Sequence, residues 1–290
     1  ENELSLYFEE GTSQRNSSNG MVSNLDDLPF PDWSDYVKKY PLKNNFVGFN
    51  SKIAIPLSAS RGCPYSCFHY CTYPLQQGRK VRSRSVQNVI KEIKYWIEKL
   101  KTNKFAFRDP VFSIHRQHTV EICKEIIDSK HKFNIGVETH LKNIDHDLAK
   151  LLRKAGVKLM YVGIESGDEE VRKDANRISD TNLNQIEKVK FLEKTGIKVK
   201  AMYIIGMPAD TDSLYKKTVE FAKKVKSSYA QFSVFTPYPG TPIFKEYEKK
   251  ITVNKYENFT QWQLVFNHPN FKPIDILNLL NYFLYHFYMP

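Results

Sequence analysis

Apolar and β-branched runs recur along this chain near residues 52–59, 104–109, 133–139, 157–165, 198–206 and 229–236. Their length and content predict strands. Each of the first five is followed by a pattern of apolar positions three and four apart. In Ser85 to Leu100 the stripe is Val86, Val89, Ile90, Ile93, Trp96, Ile97 and Leu100, the signature of a helix burying one face. His118 to Ile127, Asp145 to Lys154, Leu183 to Lys194 and Leu214 to Val225 repeat it. Ser179–Thr181 and Asp212–Ser213 supply helix-start signals, and Gly156 and Gly196 stand where helix C-caps are expected. Strand and helix alternating at this interval predict βαβ units and a parallel sheet. Six strands suit a partial or closed β/α barrel, with a doubly wound sheet as the rival.

The flanks differ from this middle. Residues 1 to 27 are polar and read as an extended segment or hairpin. Leu28-Pro-Phe-Pro-Asp-Trp33 is a proline-stiffened linker with aromatic anchors. The tail from Ile274 to Tyr288 is apolar but broken by Asn278, Asn281 and His286. It reads as a core helix, a truncated one, or a helix of a following domain. No apolar run approaches the ~20 residues that span a bilayer. The N-terminus carries no secretory signal pattern. A cytoplasmic protein is expected.

Composition changes little. Of 290 residues, 41% are hydrophobic and 26% charged, as in globular proteins rather than disordered ones. Lys and Arg number 43 against 32 Asp and Glu, for a net charge of +11. The excess is mostly Lys on predicted helix surfaces (Lys91, Lys94, Lys99, Lys101), a solvated face rather than a nucleic-acid module. A stable nucleic-acid complex is not expected.

The chemistry lies in the cysteines. Three of four fall within nine residues, in Ser58-Ala-Ser-Arg-Gly-Cys63-Pro-Tyr-Ser-Cys67-Phe-His-Tyr-Cys71-Thr-Tyr-Pro74. This segment follows the first predicted strand, at the strand end where β/α barrels carry their active sites. Three thiolates on one loop can hold three irons of a cubane and leave the fourth open. Gly62 and Pro64 make the turn around it. Structural zinc is the alternative, with His69 as fourth ligand. Cys123 sits in a helical pattern and reads as a small buried hydrophobe. His69 and His115 receive no acid–base role.

These residues resemble the radical S-adenosylmethionine (SAM) superfamily, whose usual signature is CxxxCxxC. Gly163-Ile-Glu165-Ser166-Gly167 is similar to the family's fourth-strand motif. Tyr203-Ile-Ile-Gly206-Met-Pro208 is similar to its fifth, and Phe235-Thr-Pro-Tyr-Pro-Gly240-Thr-Pro242 to its sixth. Asn24-Leu-Asp-Asp-Leu-Pro-Phe-Pro31 looks like the linker of the cobalamin-dependent branch. The resemblance covers roughly residues 20 to 245. One departure stands out: the spacing here is CxxxCxxxC, which reads as a one-residue insertion in a flexible loop.

The resemblance implies a partial (β/α)6 TIM-like barrel over 51–245. Residues 1–50 would be an extension from an upstream cobalamin-binding domain, and 246–290 a truncated C-terminal helical segment. It implies a 4Fe–4S cluster on Cys63, Cys67 and Cys71, and SAM as cofactor. Cobalamin would come through a domain outside this chain. A small-molecule substrate and an electron donor such as flavodoxin or ferredoxin are the expected partners. By position, Tyr70 would lie near the adenine. Phe107, Arg108 and Asp109 end the second strand, with Asp109 the best acceptor for the SAM ammonium. Glu138 and Thr139 face the same mouth, Glu165 and Ser166 would meet ribose or methionine, and Ile205 and Gly206 would pack against adenine. Asp109, Glu138 and Glu165 read equally as structural carboxylates. No catalytic residue is assigned beyond the cluster. The reaction would be radical carbon chemistry, either methylation, ring formation or rearrangement. Rival readings are methylthiotransferase-like modification of RNA or protein, a metal-stabilised binding module without catalysis, and an electron-transfer iron–sulfur protein.

Overall fold

The computed structural model describes residues 21–39, 54–177 and 179–289. The N-terminal hairpin expectation over the first residues, and the part of the linker after Lys39, lie outside the described residues. Six strands form one parallel sheet: β1 (Ile55–Leu57), β2 (Lys104–Phe107), β3 (Asn134–Thr139), β4 (Val157–Glu165), β5 (Lys198–Ile205) and β6 (Tyr229–Val234). Their spatial order is their chain order, and β1 does not pair with β6. A doubly wound sheet reverses its order at a switch point; this one never does. The architecture is a partial (β/α)6 barrel.

Five helices make the crossovers: α1 (Val86–Leu100), α2 (Arg116–Asp128), α3 (His146–Lys154), α4 (Asn182–Thr195) and α5 (Asp212–Val225). Parallel neighbours need such crossovers, because the chain must return to the same end of the sheet. The local signals work largely as expected. The Ser85 hydroxyl accepts the Asn88 N–H, the Asp145 carboxylate accepts that of Leu148, and the Thr181 hydroxyl accepts that of Asn184. Gly196 closes α4 in the left-handed conformation. At α5 the cap is Thr211, without a side-chain bond, and Asp212 is already inside the first turn. There its charge favours the helix dipole instead.

The core lies between the sheet and these helices. Ile135, Val137, Met160, Val162, Ile164, Val199, Ala201 and Tyr203 turn outward from the barrel into it, with Trp96, Ile122, Leu148 and Leu192 from the helices. A sixth helix, α6 (Pro273–Tyr288), packs Ile276, Leu279, Leu280 and Phe283 inward. The rings of Phe283 and Phe232 stand 4.5 Å apart. Its Tyr288 hydroxyl accepts from Ala230 N–H at 2.9 Å and donates to Ala230 carbonyl at 2.8 Å. That satisfies backbone groups which an edge strand would otherwise leave open. Among the described residues no helix is long and apolar enough to cross a membrane.

Candidate active site

The cysteine loop leaves β1 and is stapled at its base by a short antiparallel pair, Ser60–Arg61 against Arg82–Ser83. Arg84 ties this base to α1. Its backbone N–H donates to Ala59 carbonyl, and its guanidinium reaches Ser58 carbonyl at 2.9 Å and buried Glu92. Inside the staple, Cys63 N–H donates to Gly78 carbonyl at 3.0 Å, and Gly62 N–H to Gln77 Oε1. Gly62 has φ +101°, and a Cβ there would stand 2.2 Å from Lys80 carbonyl oxygen. Only glycine fits.

The wider cysteine spacing has a local cause. Ser66–His69 form one 3-10 turn, and the N–H groups of Tyr70 and Cys71 both return to Cys67 carbonyl. Residues four apart on a helical turn share a face. The added residue therefore sits in a helical turn, not in the flexible loop expected. Cys63 and Cys67 are buried and Cys71 half-buried. Cys71 and Cys67 share a hydrogen bond. With that bond first, and Arg177 assisting against burial, the Cys67 thiol is pushed down to about 6 while Cys71 is pushed up. Burial pushes Cys63 up.

Arg177 was not anticipated from the sequence. Its Nη1 lies 3.8 Å from Cys67 Sγ, and its Nη2 lies 3.6 Å from Glu165 Oε1 and 2.7 Å from Gly163 carbonyl. Its Nε is buried without a hydrogen-bond partner among the described residues. Glu165 ends β4 beside a register shift, with φ +69°. That conformation is costly for a side chain bearing Cβ and recurs where a site over-determines its geometry. A Cβ on Gly163 would come 2.5 Å from Glu165 Oε1 and 2.8 Å from Arg177 Nη2. The glycine thus makes room for the ion pair. Burial raises the Glu165 carboxyl, and Arg177 opposes it.

The other expected residues separate into groups. Tyr70 is half-buried beside this pair, its ring against Phe235 at 6.3 Å and its hydroxyl without a partner among the described residues. Glu138 receives the Tyr73 hydroxyl at 3.1 Å, from two residues past Cys71. Burial raises the Glu138 carboxyl, while Arg108 and Tyr73 oppose it. Asp109, expected either as an acceptor for the SAM ammonium or as a structural carboxylate, lies just past the end of β2. It is fully buried, and it accepts the N–H groups of Ala59 and Ser60 and, at 2.7 Å, the Ser60 hydroxyl. It anchors the cysteine loop to the end of β2. Ser166 is buried behind the mouth, with its hydroxyl 3.2 Å from that of Thr218 on α5. Gly206 turns the chain at the end of β5 with φ +73°. Thr139 is buried and bonded to Ser113. His69 pairs with Glu246 at 3.4 Å rather than with the cysteines. Cys123 is buried in α2.

Among the described residues, no three His, Cys, Asp or Glu side chains converge closely enough for a single ion. Three thiolates that each bind a different iron do not need to converge on one point. The donor set, three soft sulfurs at a buried strand-end loop with a cation alongside, fits an iron–sulfur cluster.

A comparison with family models matches residues 57–222 to the Radical SAM superfamily. The chain belongs to the radical SAM superfamily. Family membership implies the 4Fe–4S cluster and SAM. An uncharacterized methyltransferase of Pyrococcus horikoshii is 28% identical over 239 residues, which are 82% of this chain and 50% of that protein. The anaerobic magnesium-protoporphyrin IX monomethyl ester cyclase of Rubrivivax gelatinosus is 27% identical over 241 residues, 82% of this chain and 42% of that one. The chain thus spans about half the length of these relatives, or less. Among solved structures, the radical SAM methyltransferase TsrM of Kitasatospora setae, with cobalamin and a 4Fe–4S cluster bound, superposes with TM-score 0.62 at 20% identity. That match covers 68% of this chain and 39% of TsrM. It speaks for the barrel fold.

Proposed function

We propose that this chain is the catalytic core of a radical SAM methyltransferase acting on a small molecule. Cys63, Cys67 and Cys71 would hold the cluster, and cobalamin would come through a domain outside this chain. The observation that carries the reading is the constellation at the barrel mouth: three cysteines on a stapled loop, with Arg177 between Cys67 and Glu165. The name of the Pyrococcus relative supports methylation as the outcome, while the Rubrivivax relative is a cyclase. Held there, a 4Fe–4S cluster would supply the reducing electron for cleavage of SAM.

The chain's own residues prepare that site. Asp109 and Arg84 fix the loop's base, so the thiols are presented without a cost of ordering at each binding event. Arg177 favours the thiolate form of Cys67 and offers a forked cation to a carboxylate such as that of methionine. Glu138 and Glu165 offer acceptors to an ammonium at the strand ends. Tyr70 and Phe235 wall the mouth with rings and keep water away. An electron donor such as flavodoxin or ferredoxin would complete the cycle.

The test is anaerobic iron–sulfur reconstitution, then incubation with dithionite and SAM, with 5′-deoxyadenosine measured by mass spectrometry. Wild type should turn brown and form the product, and Cys67→Ala should do neither. A protein that takes up zinc, or a cluster that leaves SAM intact, would overturn the proposal.

A further inference from the structure

The inner face of a β/α barrel is usually packed with branched apolar side chains. Here the register sets a polar row across five adjacent strands. Glu138 pairs with Tyr161, Tyr161 with Lys200, and Lys200 with Tyr229. Arg108 extends the row by one residue past the Phe107–Val137 pair. These positions alternate with the outward core residues, so their side chains turn into the barrel. Glu138, Tyr161, Lys200 and Tyr229 are all half-buried, neither packed away nor fully solvated.

Lys200 stands out in this row. Its Nζ lies 5.6 Å from the centre of the Tyr161 ring, and no carboxylate among the described residues lies within 4.0 Å of it. Burial alone holds its pKa down, with no charged neighbour contributing. Some other lysines of the chain do have a carboxylate partner, as Lys188 has in Asp180 at 2.8 Å. An ammonium taken partly out of water without a counter-charge is unfavourable, so this one is set to receive an anion. On the same face, Lys198 donates to the Tyr229 hydroxyl at 3.4 Å.

We propose that Lys200 anchors an anionic group, a carboxylate or a phosphate, of the substrate, whose remainder extends along Tyr161 and Glu138 toward the cysteine loop. The inference rests on reading that loop as the cluster site. Two inter-strand steps separate Lys200 from Glu138, about 10 Å, and Glu138 in turn holds Tyr73 beside Cys71. The substrate is therefore a small acid whose reacting carbon lies roughly that far from its charge. The rings of Tyr161 and Tyr229 flank the charged end, and Glu138 accepts a hydroxyl or amino hydrogen of the substrate at the other.

The experiment is competitive acetylation of the isolated chain with acetic anhydride, read at each lysine by peptide mass spectrometry. It needs no cluster. Inorganic phosphate and succinate are the probes, with sodium chloride at matched ionic strength as the control. Either anion should slow acetylation of Lys200 saturably, about threefold at twice its Kd, and leave exposed Lys150 unchanged. The effective probe, phosphate or succinate, names the class of anion. Loss of that protection in Tyr161→Ala would further support the row as the binding surface. No saturable slowing by either anion, or equal slowing at Lys150, would overturn the inference. A chain that forms 5′-deoxyadenosine yet leaves Lys200 unprotected would sink this inference alone and leave the proposed reaction standing.

Discussion

The guanidinium of Arg177 lies 3.8 Å from the sulfur of Cys67, across 110 residues of chain. It joins the first strand's loop to the segment after β4, and it is pinned there by Glu165, with both side chains about one-tenth exposed. Removing one member of a buried ion pair strands the other charge, at about 3–5 kcal/mol. Arg177→Met should therefore lower unfolding stability by that order in denaturant titration. Glu165→Gln combined with Arg177→Met should cost clearly less than the sum of the single changes. Additive losses would show that the two do not act as a pair.

Gly62→Ala puts a methyl group 2.2 Å from the Lys80 carbonyl, at a positive φ. The backbone term alone costs roughly 1–2 kcal/mol, and the clash must open the loop's staple. The variant should melt at lower temperature and retain less iron after reconstitution. Unchanged iron content would mean that the staple does not govern cluster binding.

Asp210 gives a pH signature. Burial raises its carboxyl from 3.8 to about 6, against the N–H bonds of Met207 and Gly206, which lower it. Below pH ~4 the carboxyl is protonated in both folded and unfolded chains. Between ~4 and ~6 the unfolded chain releases the proton first, so this group's share of stability falls as pH rises. The share is lost above about 6, and its size is at most about 3 kcal/mol. Asp210→Asn should gain stability relative to wild type as pH rises from 4 to 6. A constant difference across that range would rule the linkage out.

Tyr288→Phe removes one hydroxyl that serves both the N–H and the carbonyl of Ala230. The expected loss is about 1 kcal/mol, with faster hydrogen exchange at the Ala230 amide. An unchanged exchange rate would mean that the edge of β6 is protected without the hydroxyl.

The sequence by itself determined what is local. Alternation of apolar runs with three-and-four stripes marked all six strands and five crossover helices, because each element must bury one face. The cysteine cluster and its place after β1 were legible because three metal-binding side chains on one loop need no tertiary information. Tertiary structure decided what is not local. From the sequence Asp109 reads equally as a ligand contact or a structural carboxylate, and only the fold brings its oxygens to the N–H groups of Ala59 and Ser60, some fifty residues away. Arg177 carries no periodic signal, and it reaches Glu165 only because the short helix Glu169–Asp174 turns the chain back over the mouth. The inward row from Glu138 to Lys200 exists only through strand register. Register arises from how neighbouring strands settle side by side, and no single strand's sequence contains it.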